Sequence, residues 1–251
     1  MTSIKTLVYF DLEATGLKSS GRPRITEISF VAVNFESLEE ISIRIKKNLR
    51  NTSKQDNAFH LESLFPRVLN KLTLCVYPMA TIPPEVSDIT ELDNYNLSDQ
   101  TRFDPTTGDM LNMFLDRLPA PVCLVAHNGD FYDFPLLKAE LEKVGVQLRP
   151  GILCADSYIG IKAIFENRND FTCGENVEKN EDETKENNPK SFALINLHKH
   201  MLGCKPIMSH GAEADCLALL RITAVLGKDW LVWLQKNCRL FSDLEKMWRW
   251  G

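Results

Sequence analysis

The sequence predicts an α/β protein built on a mixed sheet, and three observations carry that prediction. Runs at Thr6–Leu12, Arg24–Val33 and Lys71–Val76, separated by turn residues, read as an antiparallel meander laid down before any helix. A helical pattern then precedes the buried run Val122–Ala126, so this fourth strand returns parallel to the first. Length sets the scale: 251 residues suit one large domain, 1–251, with a sizeable core.

Each element has its local reason. Leu7, Val8, Tyr9 and Phe10 make the first strand, which Thr15-Gly16 punctuates. The second strand is followed by a polar stretch, Asn34 to Pro66, to which no element is assigned. The third alternates from Lys71 to Val76, and Pro78 stops it. Beyond Pro83-Pro84, Ser87-Asp88-Ile89-Thr90 starts a short helix. Met110, Leu111, Met113, Phe114 and Leu118 give Thr107–Leu118 a helical pattern, ended by Pro119 and Pro121. The next helix, Asp133–Val144, tolerates Pro135 because it falls in the first turn. Ile152–Ser157 reads as a strand passing into a helix that ends near Phe165. From Glu166 to Lys190 the composition turns to Asn, Glu, Asp and Lys, which predicts an exposed flexible loop at 166–190. Helices resume over Phe192–Leu202 and Gly211–Leu226, and Trp230, Trp233, Trp248 and Trp250 pack the last helix and tail.

Composition narrows the class. A 44% hydrophobic and 25% charged chain is an ordinary globular one. Its net charge of −5 excludes a global basic field for gripping long nucleic acid, so any such binding must be local. Seven cysteines without a CxxC pair argue against a zinc ribbon and for a reducing, intracellular compartment. No signal peptide is visible, and no stretch approaches the ~18 apolar residues that span a bilayer. The expectation is a soluble intracellular protein with no membrane partner. Lys46-Lys47 and Arg50 are too sparse for a nuclear signal, which leaves cytoplasm and nucleus both open.

The chemistry begins at Asp11 and Glu13. Strand side chains alternate with period two, so both acids leave one face at the strand's end. Like charges held there repel unless a cation or proton lies between them, and Mg²⁺ prefers such oxygens. The pair also reads as solvated acids on a surface strand. Two later stretches offer partners: His127 to Leu137, at a strand-to-helix junction where open α/β sheets place ligands, and Ser209 to Leu220, where a histidine precedes a helix. His210, Glu213 and Asp215 cannot all share one face, so at most two point at a site. Taken singly, Asp133 reads as a helix cap, as does Asp130, which lies nearer a loop, His210 as a loop histidine, and His127 as a structural hydrogen-bonder.

Together, these stretches resemble the DEDDh group of 3′→5′ exonucleases, and within it the three-prime repair exonuclease type. The residues that carry the resemblance are Phe10–Leu17, His127–Gly129 with Tyr132–Leu137, and His210–Asp215. Lys71–Val76, Ile89-Thr90 and Lys190–Phe192 extend it over nearly the whole chain. The resemblance implies an RNase H-like fold, a mixed five-stranded sheet flanked by helices. It implies that Asp11, Glu13, Asp133 and Asp215 are metal carboxylates and that His210 is the general base. Asp130 falls out of register with the motif's acid and receives no metal role. The implied cofactor is Mg²⁺, two ions per site, with Mn²⁺ as a substitute. Two such ions can activate the attacking water and relieve charge on the leaving 3′ oxygen, while a histidine takes a proton near neutral pH.

The same resemblance implies a DNA 3′ end held by Glu13, Ala14, Leu17, Tyr132, Lys162, Ser191 and Asp215. Leu17 would be an apolar wedge against the last bases of single-stranded or frayed ends, and Tyr132 would stand near the scissile phosphate. A homodimer through the edge strand near 71–76 is also implied. Departures from the family matter too: no proline run follows Asn34, no hydrophobic C-terminal anchor is present, and 166–190 is acidic, with Arg168 its only arginine. The first two favour the shorter, soluble branch, and the third argues against a basic DNA-gripping loop. The expected activity is an Mg²⁺-dependent 3′→5′ DNA exonuclease that releases nucleoside 5′-monophosphates. An exoribonuclease or proofreading-type exonuclease, a silent nucleic-acid-binding scaffold, and a metal hydrolase for another substrate are the alternatives.

Overall fold

A single strand divides the core. In β1 (Thr6–Ala14), Leu7 and Tyr9 enter one buried cluster while Val8, Phe10 and Leu12 enter another, the two-residue alternation of a strand covered on both faces. The computed structural model describes residues 3–49, 66–172, 189, 191–206 and 210–248.

The sheet is six-stranded, in the order β3-β2-β1-β4-β5-β6. β2 (Ile25–Asn34) pairs antiparallel with β1 and with β3 (Asn70–Cys75), which forms one edge. β4 (Val122–Ala126) lies parallel to β1, and β5 (Leu153–Asp156) parallel to β4. The expected meander pairing and parallel return are both present in this mixed sheet. The sixth strand corrects the expected count of five: β6 is only Arg239–Leu240, antiparallel to β5, and two residues carry no periodic signal.

A second correction concerns the stretch after Asn34. The helix α1 (Phe35–Leu49) lies between β2 and β3, so the meander is not helix-free. Leu38, Ile41 and Ile45 bury one face at helical spacing, while Glu36, Glu39 and Glu40 lie on the solvent side and give the segment its polar look. The later helices are α2 (Pro84–Thr90), α3 (Pro105–Asp116), α4 (Asp133–Lys143), α5 (Ser157–Thr172), α6 (Leu194–Leu202), α7 (Ala212–Leu226) and α8 (Lys228–Asn237). α5 runs past Phe165 through 166–172, the start of the segment read as a loop; 173–188 and 190 lie outside the described residues.

The helices sort to the two clusters. α1, α5, α6, α7 and α8 contribute to the one holding Tyr9, and α3 and α4 to the one holding Phe10. Trp230 is fully buried and stacks on Trp233 with centroids 5.5 Å apart, and Trp248 is half-buried, so three of the tryptophans serve packing; Trp250 lies outside the described residues. Among the described residues no cysteine is in a disulfide, and no helix is long and apolar enough to cross a membrane.

Candidate active site

The site is assembled at the end of β1 by three elements. Asp11 and Glu13 fall in register with Ser29 and Glu27 of β2 and share the parity of Leu7 and Tyr9, the face that packs with α7. From that side the first turn of α7 presents Asp215, and carboxylate oxygens of Asp11, Glu13 and Asp215 lie within 4.8 Å of one another. Asp133, the first residue of α4, is buried beside this trio, and its charge bears on both Asp11 and Glu13.

Electrostatics in this cluster are unfavourable. Burial first, and then the charges of Asp133, Asp215, Glu13 and Glu27, hold Asp11 well above the usual carboxylate range. Glu13 is pushed up to about 8, again by burial first and then by Asp215, Glu27 and Asp133. Burial also lifts Asp133 to about 7, against the backbone amides of Asp133 itself and Leu12, which draw it down. Asp215 is raised by burial, while the charge and backbone amide of His210 oppose the shift. A cluster that cannot keep its own charge, offering only hard oxygen donors, suits Mg²⁺ or Mn²⁺.

His210 is exposed, two residues ahead of α7, with φ at +74°, a left-handed value that a non-glycine residue rarely adopts. Glu213 turns away from the trio: its carboxylate accepts from Lys71 Nζ at 2.7 Å and Thr73 Oγ1 at 2.9 Å on β3. Of the two acids, therefore, only Asp215 joins the cluster. Asp130 is engaged elsewhere, 2.7 Å from Arg239 Nη2.

The other expected contacts are distributed unevenly. Ala14 ends β1 and is buried; Leu17, beyond the Thr15-Gly16 turn, is 65% exposed. The Tyr132 hydroxyl donates to the Gly16 carbonyl, tying that turn to the start of α4. Lys162, exposed on α5, faces Glu166 at 3.9 Å. The Ser191 hydroxyl accepts from Asn196 Nδ2 at 2.7 Å, ahead of α6. His127 is held at both nitrogens, by the Ser157 hydroxyl at 3.0 Å and the Phe192 carbonyl at 2.8 Å.

Two contributors were missed in the sequence. Asp156 accepts from the amides of Asn128, Asp130 and Tyr158 at 3.0, 3.1 and 2.8 Å, and so shapes the turn that delivers Asp133. Its place at a strand-to-helix junction, the same pattern as at Asp133, was the available signal. Glu27 accepts from the Ala212 amide at 2.7 Å, and nothing in its strand pattern marks it.

The chain is 36% identical over 247 residues to three-prime repair exonuclease 1 of Homo sapiens, covering 97% of this chain and 71% of that protein. It is 32% identical over 245 residues to three prime repair exonuclease 2 of Mus musculus, covering 97% and 92%. Among solved structures, E. coli exonuclease I in complex with a dT13 oligonucleotide superposes with a TM-score of 0.62 and 14% identity over 92% of this chain, a likeness of fold alone. The chain spans 43% of that larger protein. No family model matches the chain.

Proposed function

Because the chain belongs to the three-prime repair exonuclease family, we propose that its acid cluster hydrolyses DNA from 3′ ends and releases nucleoside 5′-monophosphates. The observation that carries this reading is the trio of carboxylates within 4.8 Å at the end of the central strand, with Asp133 beside it. Asp11, Glu13 and Asp215 would hold one divalent ion, and Asp11 with Asp133 a second. Bound there, Mg²⁺ supplies positive charge that acidifies water and offsets charge developing on the leaving oxygen.

The remaining steps belong to the chain's own groups. His210, open to solvent beside Asp215, takes the proton of the attacking water. Water oxygen adds to phosphorus, the bond from phosphorus to the 3′ oxygen breaks, and that oxygen takes a proton from solvent as it leaves. Leu17, exposed on a turn anchored through Tyr132, is suited to lie against the terminal base, with the Glu13 and Ala14 backbone below it. Lys162 and Ser191 contribute to the phosphate track. The exposed edge of β3 supports a homodimer, because an unpaired edge otherwise invites aggregation. The protein acts inside the cell, in cytoplasm, nucleus or both, in DNA degradation and repair, as a single domain.

The test is digestion of a 5′-labelled single-stranded DNA oligonucleotide, with a matched RNA, in Mg²⁺ and in EDTA, beside His210→Ala. A DNA ladder shortening from the 3′ end, abolished by chelation and slowed at least ~10³-fold by the substitution, is expected. Intact DNA under all conditions, from folded protein that binds it, would replace the enzyme with a silent binding module. Preferential RNA digestion would make it an exoribonuclease.

A further inference from the structure

We propose that Glu27 is a positioning residue for this site: by gripping the first amide of α7, it sets where Asp215 and His210 stand. The proposal rests on the exonuclease reading for its kinetic consequences, but not for its structural ones.

The first amides of a helix need acceptors from outside it. α7 starts after Gly211, which has no side chain to offer, and Ala212 is fully buried, so water does not serve it either. Glu27 fills the gap from another element: its Oε2 accepts the Ala212 N–H at 2.7 Å, a short charge-assisted bond at the positive end of the helix. Glu27 lies in register with Glu13 across the β1–β2 pair. A second carboxylate opposite Glu13 adds repulsion to a site already crowded with acids, and its charge bears on both Glu13 and Asp11. A glutamate at that position is a liability for the strand pair alone; holding α7 gives it a use.

The consequences reach both functional residues on that side. Asp215 N–H closes the first turn on the Gly211 carbonyl at 3.0 Å, so the position of Ala212 fixes that of Asp215. His210 stands two residues upstream, with a φ of +74° that a non-glycine residue keeps only where the surrounding structure holds it. β3 secures the same turn through Lys71 and Thr73 on Glu213, and Thr73 is itself 2.9 Å from Ser29 of β2. The first turn of α7 is thus fastened to the strand that pairs with the metal-site strand.

The experiment compares the parent with Glu27→Ala, which removes the acceptor, and Glu27→Gln, which keeps a carbonyl acceptor without the charge. Mn²⁺ affinity by calorimetry, amide exchange over 211–216, and steady-state DNA hydrolysis are measured for each. Glu27→Ala is expected to weaken Mn²⁺ binding about 10-fold or more and to lower kcat about 10²-fold, with KM for DNA changed less than about 3-fold. Faster exchange should be confined to the first turn of α7, and Glu27→Gln should stay within about 5-fold of the parent. Should Glu27→Ala fail to fold, Glu27→Asp, whose shorter side chain draws back from Ala212, takes its place. Parent-like Mn²⁺ affinity and exchange in Glu27→Ala, or equal losses in Glu27→Gln, would overturn the proposal. A parent that digests no DNA would sink the exonuclease reading alone, because Mn²⁺ affinity and exchange still decide the role of Glu27.

Discussion

Replacing Asp11 with Asn should stabilise the cation-free protein while abolishing its nuclease activity. Oxygens of Asp11, Glu13 and Asp215 lie within 4.8 Å of one another. At an effective dielectric near 20, each ionised pair at that separation costs roughly 3.5 kcal/mol, and Asp11 takes part in two such pairs within the trio, to which the charges of Asp133 and Glu27 add. Bound protons relieve most of it at neutral pH, since Glu13 is pushed up to about 8 and Asp11 is held well above its usual range. A net gain of about 1–2 kcal/mol remains, which at this chain length raises the melting temperature by roughly 2–8 °C.

The pH dependence has a definite sign. A carboxyl with a raised folded pKa binds more protons folded than unfolded, so stability falls as pH rises from the unfolded value through about 8 for Glu13. The parent therefore loses stability between pH 6 and pH 9, Asp11→Asn loses less, and the gap widens. Saturating Mg²⁺ should reverse the order: at about 100 times its Kd, a ligand contributes about 2.7 kcal/mol to the parent, and far less to a variant missing the proposed shared ligand. Thermal melts followed by circular dichroism in EDTA at pH 6 and 9, then in Mg²⁺, read all of this, and a digestion assay should show at least a ~10³-fold loss. A variant that melts below the parent in EDTA at pH 9, or keeps the parent's Mg²⁺ shift, would refute the repulsive-cluster account.

Two further substitutions test the frame around the site. Tyr132→Phe removes the hydroxyl that donates to Gly16. It should cost about 1 kcal/mol in a urea titration and loosen the Leu17 turn, weakening DNA 3′-end binding several-fold in a Ca²⁺ buffer; unchanged binding would separate that turn from the substrate. Gly160→Ala would place a methyl 2.6 Å from Trp233 Cε3 and 2.7 Å from Trp230 Cζ3, between α5 and α8. It should destabilise by about 1–3 kcal/mol with a change in tryptophan fluorescence, and an unaltered melting temperature would mean that the two helices are not seated as described.

The residue order by itself determined a good part of this protein. Alternation along Thr6–Ala14 put Asp11 and Glu13 on one face, and apolar runs of four residues or more marked β1, β2 and β4. Helix spacing marked α4 and α7 within a residue or so of their ends, and with them the delivery of Asp133 and Asp215. Charge hid α1, where Leu38, Ile41 and Ile45 are set among polar neighbours, and brevity hid β6. Tertiary structure alone decided which of Glu213 and Asp215 faces the cluster, how Glu13 registers against Glu27, and that Glu27 meets an amide 185 residues away. Periodicity reports which face of its own element a residue occupies, because that follows from backbone geometry a few residues long. Which groups from distant elements stand within hydrogen-bond reach is set by how helices seat on the sheet, and no local pattern encodes that distance.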